Sequence, residues 1–242
     1  MGLLDNHEPV IVKEGNSAHR QLAALESLRG GLPPDAEKQL DFDIRSLQAG
    51  ISGEERILYE LRNSHMEMYV LQDLFLEHNG LTVQIDFLVL TLQRIFVIEC
   101  KNLFGDLAIN ERGDFIRSFG GKRKEGIYSP ITQNRRHLDL IHAMRRDSRG
   151  TAMNLLVDGN FDDVYRGLVV FANPKTVLDD RNAKQEVRDQ IIRADQLIAT
   201  IKAINNECLL RFSRCSVPQL IGAPFHGTSV RACARNRCGR VV

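Results

Sequence analysis

Three apolar runs in close succession constrain the fold of this chain most strongly. They cover residues 69–76, 81–90 and 94–101 and are rich in Val, Ile, Leu and Phe. Short polar segments separate them, as is typical of turns between strands. The pattern therefore predicts three consecutive strands of one sheet.

Helices and shorter strands are predicted on both sides of these three strands. The helices are expected over residues 18–28, 35–50, 131–146 and 196–205. Ser129 and Pro130 are a suitable N-cap and first residue for the third helix, and Asp195 is a suitable N-cap for the fourth. Further β-structure is expected as a hairpin over residues 105–119, turning at 111–114, and as strands at 167–171 and 187–192. This order predicts a mixed α/β fold with a central sheet.

A separate helix is predicted to begin at Ser52. The sequence Ser52-Gly53-Glu54-Glu55 has the S-x-x-E spacing of a capping box. In that helix Glu54 shares one face with the apolar positions 57, 58 and 61, so this face is expected to be buried. A buried carboxylate is costly unless a partner compensates it, so Glu54 requires a polar partner.

Composition places the chain among ordinary globular proteins. It has 242 residues, 43% of them hydrophobic, with 32 Lys and Arg against 31 Asp and Glu. No apolar run approaches the roughly 18–20 residues of a membrane-spanning helix, and the first residues do not resemble a secretory signal. We expect a cytoplasmic protein without a membrane partner, divided into a helical lead-in (1–50), a main domain (51–206) and a tail (207–242).

Basic residues are clustered despite the balanced total. Residues 122–149 contain eight Lys or Arg and three acids. Such a cluster could follow a phosphate backbone through sequence-independent contacts, and a solvated basic loop is about equally compatible with it. The candidate DNA-binding residues are Lys122, Arg123, Lys124, Arg135 and Arg136.

The C-terminal tail has six arginines and no acid from residue 208 onward. It also contains Cys208, Cys215, Cys233 and Cys238, with His226 as a substitute ligand. These spacings are looser than the paired C-x2-C motifs of structural zinc sites. A partly disordered, irregular basic tail is therefore favoured, and zinc is not expected there.

Polar residues at three positions of the second and third strands indicate a candidate catalytic site. Asp86 interrupts an apolar strand, and Glu99 and Lys101 stand two residues apart at a strand end. Because strand side chains alternate, Glu99 and Lys101 share one face while Cys100 points to the other. Antiparallel pairing would bring Asp86 beside Glu99, where two carboxylates repel unless a cation neutralises them.

Magnesium suits such a site, because it prefers one or two carboxylates, water and phosphate oxygens as ligands. Lys101 could then orient or activate water beside a scissile phosphate. The alternative is a surface ion pair between Glu99 and Lys101, with Asp86 an ordinary polar interruption.

The ordered motifs resemble the nuclease-related domain (NERD) family of the PD-(D/E)xK nucleases. The resemblance covers about residues 52–205 and rests on four blocks: Gly53-Glu54, Gln84-Ile85-Asp86, Ile98-Glu99-Cys100-Lys101-Asn102 and Pro130-Ile131-Thr132-Gln133-Asn134. Ile85 stands where the superfamily signature has proline. The resemblance implies a restriction-endonuclease-like αβββαβ core with a mixed central sheet. In this chain the N-terminal helical lead-in (1–50) and the irregular basic tail (207–242) flank that core.

The resemblance also implies a Mg²⁺-dependent role in DNA processing, with Mn²⁺ as a substitute metal. It implies Asp86, Glu99 and the backbone carbonyl of Cys100 as metal ligands, Glu54 as the acid contributed by the helix, and Lys101 as the catalytic lysine. Gln133 would match the glutamine of the helix that follows the strands, although its own position also suits a capping role. His137 is expected to be a surface or packing residue rather than a metal ligand.

DNA is the expected partner, with a second copy of the chain or a helicase-type domain in another chain as further partners. The alternative function is a catalytically silent module with the same fold that binds nucleic acid or protein.

Overall fold

The computed structural model describes residues 8–120, 123–148 and 160–211, and the side chains of the last range as far as residue 207. Within these ranges the helices are α1 (Ser17–Glu26), α2 (Pro34–Arg62), α3 (Pro130–Asp147), α4 (Phe161–Val164), α5 (Gln185–Arg188) and α6 (Leu197–Arg211). The strands are β1 (Val10–Lys13), β2 (Tyr69–His78), β3 (Leu81–Leu90), β4 (Ile95–Lys101), β5 (Asp106–Ile109), β6 (Phe115–Phe119), β7 (Arg123–Ile127), β8 (Tyr165–Phe171), β9 (Leu178–Asp179) and β10 (Ile191–Arg193).

The central sheet has six strands in the order β1-β2-β3-β4-β8-β10. Strands β2, β3 and β4 form an antiparallel meander, which confirms the three consecutive strands predicted from the apolar runs. Strand β1 joins β2 in parallel, and β8 joins β4 in parallel. The sheet is therefore mixed, and its middle strands have nearly continuous apolar sequences because both faces are covered.

Helices cover the two faces of this sheet. On one face, α2 and α6 pack through Ile57, Leu61, Leu197 and Ile201 against Phe96 and its neighbours. On the other face, α3 packs through residues such as Leu138 and Ile141. The order α2-β2-β3-β4-α3-β8 is the αβββαβ core, so the predicted fold class is confirmed.

A smaller sheet is formed by β5, β6 and β7, which lie between β4 and α3 in the chain, and by β9, which follows β8. Its order is β7-β6-β5-β9, and it contains the predicted hairpin as β5 and β6. The basic segment 123–127, for which no strand was predicted, forms the edge strand β7. The sequence of β7 carries little apolar signal, because this strand lies at an edge and its side chains are exposed or half-buried.

The predicted helix boundaries around residue 50 are wrong. Helix α2 continues from Pro34 to Arg62 through Gly50 and Gly53, so no helix ends at Gly50 or begins at Ser52. Each glycine costs a helix about 1 kcal/mol relative to alanine. Burial of Leu47 and Ile51 against α1 continues the apolar stripe across this segment, which outweighs that cost.

The end of the described chain also differs from the prediction. Residues 187–192 contain the end of α5 and the start of β10 rather than one strand. Asp195 lies inside a short 3-10 turn, Ala194–Gln196, and α6 begins after it at Leu197. The short parallel strands β1 and β9 were not predicted, because strands of this length leave little periodicity in a sequence.

Across the described ranges, no helix is at once long enough and apolar enough to span a membrane. Lys122 and the tail beyond residue 211 lie outside the described residues, as does the side chain of Cys208.

Candidate active site

Asp86 and Glu99 lie at the point where β3 and β4 stop pairing. The last pair before that point is Phe87 with Ile98. One step further, Oδ2 of Asp86 accepts a hydrogen bond from the backbone N–H of Cys100 at 2.8 Å. Both carboxylates are buried, with Asp86 8% and Glu99 2% exposed. The predicted proximity of the two strand positions follows from this register.

Asp86 also faces an irregularity on its other neighbour, β2. The ladder between β2 and β3 pairs Gln72 with Phe87 and Leu74 with Ile85, and it skips the position between them. At that position Asp73 has a φ of 57°, which is uncommon for a residue other than glycine. Regular alternation would keep Gln72 and Leu74 on one face, yet Leu74 belongs to the core on the α3 side while Gln72 contacts α2. The face reversal places Asp86 at a break in the regular sheet.

Lys101 occupies the same end of β4 as Glu99. Its ammonium group donates to Oε1 of Glu99 at 2.8 Å and to Oε1 of Gln133 at 2.9 Å. The side chain of Lys101 is 23% exposed, against 3% for that of Glu99. The lysine therefore lies between a buried acid and the more open rim of the site.

Gln133 is held there by the start of α3. Ser129 accepts a hydrogen bond from the backbone N–H of Thr132 at 3.3 Å, and Pro130 occupies the first turn, as the sequence predicted. This N-cap directs the start of α3 toward β4. The amide of Gln133 consequently contacts Lys101 rather than serving only as a cap.

Two further residues of α3 bury polar groups against the sheet. Asn134, 2% exposed, donates to the carbonyls of Val97 at 2.9 Å and Leu168 at 3.1 Å, which ties α3 to β4 and β8. The Nδ1 atom of His137 lies 3.7 Å from Oε2 of Glu99. Burial lowers the pKa of His137 below its ordinary value, although the carboxylate of Asp86 opposes this shift. Sequence reasoning did not assign Asn134 a structural role, because no periodicity distinguishes it from the exposed polar residues beside it.

Glu54 reaches the sheet from the opposite helix, α2. It is 5% exposed, and its Oε2 accepts a hydrogen bond from Nε2 of Gln72 at 3.2 Å. The expected polar partner is therefore present. Gln72 itself was not predicted, since a glutamine in an alternating strand gives no signal of burial.

Gly53 allows α2 to approach the end of β4. A Cβ atom at Gly53 would lie 2.7 Å from Cβ of Asn102 and 3.1 Å from Sγ of Cys100. The amide of Asn102 donates in turn to the carbonyl of Ala49 at 2.6 Å. This close contact brings Glu54, the next residue of α2, against the strand that contains Glu99 and Lys101.

The electrostatics of Cys100 indicate how the acids are grouped. Burial raises the pKa of its thiol well above the ordinary value, and the carboxylates of Asp86, Glu54 and Glu99 raise it further, while Lys101 opposes them. Carboxylates from α2, β3 and β4 therefore all act on the thiol of Cys100. A divalent cation is the kind of ion that would relieve this concentration of negative charge.

Two carboxylates at this strand end are the side chains available to bind a metal ion. Within residues 8–120, 123–148 and 160–211, no group of three or more His, Cys, Asp or Glu is arranged to hold a metal ion. Magnesium usually takes one or two carboxylates and keeps several waters. Asp86 and Glu99, with the backbone carbonyl of Cys100 that directly follows Glu99, suit that requirement.

The candidate DNA-binding residues lie on two exposed elements. Arg123 and Lys124 are exposed on β7, and Arg135 and Arg136 are exposed on α3. Arg135 makes ion pairs with Asp139 at 3.3 Å and Asp162 at 3.6 Å. The guanidinium group of Arg136 lies 5.4 Å from the ring centre of Tyr128. Arg136 follows Gln133 by three residues, so the two are neighbours on the helix surface.

Comparison with known proteins gives one family match. Searches of curated proteins and of solved structures gave no match. The family model of the nuclease-related domain matches residues 49–172, slightly more than half of the chain. The matched range runs from the middle of α2 to the end of β8, and it includes Glu54, Asp86, Glu99, Lys101 and Gln133. The chain therefore belongs to the nuclease-related domain (NERD) family.

Proposed function

We propose that this chain hydrolyses phosphodiester bonds in DNA with Mg²⁺ as its cofactor. One observation supports this above the others: Lys101 lies within hydrogen-bond distance of both Glu99 and Gln133, and Asp86 lies across from Glu99 at the end of the same strand pair. Metal-assisted hydrolysis of a phosphodiester uses two carboxylates and a lysine that lie close together.

In this proposal Asp86, Glu99 and the carbonyl of Cys100 hold the cation, and Glu54 provides a further acid from α2. When bound, Mg²⁺ supplies positive charge against the negative charge that a phosphodiester gains during hydrolysis. The buried positions of Asp86 and Glu99 support this role, since a dry site strengthens their attraction to a cation.

Lys101 acts on the substrate side of the site. A lysine ammonium group has three N–H donors. Two of them point to Glu99 and Gln133, and the third can donate to a phosphate oxygen or to the attacking water. Because two acceptors hold the ammonium group, its position is set before the substrate arrives, which lowers the cost of reaching the reactive geometry.

Exposed arginines and lysines provide contacts to the DNA backbone in this proposal. Arg136 adjoins Gln133 on α3, and Arg123 and Lys124 extend the basic surface onto β7. Contacts of this kind position the duplex without reading its sequence. We therefore expect the affinity to fall steeply with salt.

A plasmid cleavage assay tests the proposal. Purified wild type, Asp86→Ala and Lys101→Ala are incubated with supercoiled plasmid in Mg²⁺ or Mn²⁺, with Lys38→Ala as the control because Lys38 is a remote, 80% exposed lysine. Wild type and Lys38→Ala should nick or linearise the plasmid, and both site variants should lose at least about a hundredfold in rate. Cleavage that persists unchanged in Asp86→Ala and Lys101→Ala would come from a contaminant and would refute the proposal.

A catalytically silent DNA-binding module is the second candidate function. The exposed basic strand β7 and its neighbours on α3 favour it, because they require no turnover. It predicts salt-sensitive binding of duplex DNA by wild type and Lys101→Ala alike, without any product. The plasmid assay and a binding assay on the same proteins separate the two functions.

A further inference from the structure

Residues 10–17, called here the N-terminal arm, run along the edge of the central sheet. Strand β1 pairs with β2, and the arm then passes Gln72 and Asp73 before it enters α1. The arm lies outside residues 49–172, the range that matches the family. Its contacts with the sheet therefore have no counterpart in the family match.

The arm holds Gln72 from two directions. The backbone N–H of Gly15 donates to Oε1 of Gln72 at 3.2 Å. The ammonium group of Lys13 donates to the backbone carbonyl of Gln72 at 2.8 Å. The N–H of Ser17 donates to Oδ2 of the next residue, Asp73, at 3.3 Å. The arm thus attaches to β2 at the residue whose side chain contacts Glu54.

The contact with Gly15 decides which way the Gln72 amide points. Because Oε1 accepts from Gly15, the Nε2 atom is left to donate to Oε2 of Glu54, at 3.2 Å. Gln72 is 7% and Glu54 5% exposed, so both groups are removed from water. A reversed amide would place two acceptors, Oε1 and the carboxylate, against each other at this buried position.

We propose that the N-terminal arm positions Glu54 through Gln72 and is therefore part of the active site. This inference rests on the proposed function, in which Glu54 contributes to the cation site. Outer residues that orient a metal-binding carboxylate commonly change metal affinity about tenfold to a hundredfold when they are removed. Gln72 is a positioning residue in this account, since it acts through Glu54.

Gly15 offers a way to disturb the arm without changing the sheet. A Cβ atom there would lie 2.5 Å from Cβ of Asp73 and 3.3 Å from Cδ of Gln72. Gly15→Ala therefore forces the arm away from β2. Gly31 is the matched control, because the nearest atom to an added Cβ is 3.7 Å away and that contact is ordinary.

The experiment is a Mg²⁺ titration by calorimetry on the full chain. It compares wild type, Gly15→Ala, Gly31→Ala and Gln72→Met, which keeps the length of Gln72 and removes its amide. We expect Gly15→Ala and Gln72→Met to bind Mg²⁺ about ten to a hundred times more weakly than wild type, and Gly31→Ala to match wild type. Circular dichroism on each sample establishes that the variants are folded.

A swap of the two side chains separates positioning from simple stability. Glu54→Gln combined with Gln72→Glu can re-form the amide–carboxylate bond with its roles exchanged, but it moves the charge from α2 to β2. We expect the melting temperature of the double variant to exceed that of Gln72→Met while its Mg²⁺ affinity stays low. Recovery of wild-type Mg²⁺ affinity in the swap would overturn the inference, because the position of the charge would then be irrelevant.

The outcomes also distinguish this inference from the proposed function. If wild type binds Mg²⁺ and both Gly15→Ala and Gln72→Met bind it equally well, the inference is overturned and the proposed function stands. If wild type binds no Mg²⁺, the proposed function fails and the inference fails with it. Weaker binding by both variants supports the inference.

Discussion

Oε1 of Gln133 accepts a hydrogen bond from Nζ of Lys101 over 2.9 Å, so the first turn of α3 and the last residue of β4 meet at one point. This contact joins two residues that are 32 positions apart in the chain. Helix α3 therefore helps to fix the position of the Lys101 ammonium group. A glutamine at that position therefore affects the orientation of Lys101 as well as the helix to which it belongs.

Gln133→Met should reduce the rate of single-turnover DNA cleavage about tenfold to a hundredfold, because the ammonium group loses one of its two acceptors. Stability should change by less than about 1 kcal/mol, since the side chain is not fully buried. Gln39→Met is the control, an exposed glutamine on α2 that is bonded to Asp43. Equal cleavage rates for Gln133→Met and the control would show that the contact has no role in turnover.

Gly53→Ala should destabilise the protein by about 1–3 kcal/mol. An alanine in a helix interior normally stabilises by about 1 kcal/mol relative to glycine, so the expected sign is reversed. The reason is that the added Cβ would lie 2.7 Å from Cβ of Asn102 on the segment after β4. Urea unfolding measures the change, and a rise in stability would contradict the close approach of α2 to this strand.

Asn134→Leu should cost about 2–3 kcal/mol of unfolding free energy, because the carbonyls of Val97 and Leu168 lose a buried donor. Asn63→Leu is the matched control: the amide of Asn63 also donates to a carbonyl, that of Tyr59, but in an exposed position. The control should cost less than about 1 kcal/mol. Comparable losses in both variants would mean that Asn134 does not link α3 to the sheet.

Lowering the pH should remove the contribution that the ionised carboxylate of Asp73 makes to the free energy of unfolding. Burial raises the pKa of this carboxyl, but hydrogen bonds from Ser17 and Gln84 outweigh it and leave the pKa below the ordinary 3.8. The folded state therefore binds this proton less tightly than the unfolded state does. The resulting stabilisation is present above about pH 4 and is lost as the pH falls through the lower folded value.

Asp73→Asn tests that sign. The difference in unfolding free energy between wild type and variant should be largest above about pH 4 and should shrink as the pH is lowered below that value. Urea unfolding across that range measures it. A difference that stays constant with pH would mean that the ionised form of Asp73 is not the one that the fold stabilises.

Much of the core could be predicted because its periodicity is strong. The strand boundaries at Leu81 and Leu90 and the hairpin of β5 and β6 follow from apolar runs and turn residues. The contact of Lys101 with Glu99 and that of Asp86 with the backbone of Cys100 follow from alternation and antiparallel pairing. These features depend on neighbours that are close in sequence.

The missed features depend on contacts between distant segments. Helix α2 continues past Gly50 and Gly53 because α1 covers Leu47 and Ile51, which local propensity does not record. Gln72 and Asn134 become important only when a helix buries them, and their neighbours in sequence do not indicate that burial. The positive φ of Asp73 likewise depends on the arm and on β3, which no single segment specifies.

We propose that the acids around Cys100 form a site for one divalent cation. Calorimetric titration of the metal-free full chain with Mg²⁺, repeated on Asp86→Asn, tests it most directly. The substitution keeps an oxygen that can accept from the N–H of Cys100 and removes one negative charge. We predict that wild type binds one Mg²⁺ and that Asp86→Asn shows no saturable binding. Saturable binding of equal affinity in both proteins, or none in wild type, would contradict the account.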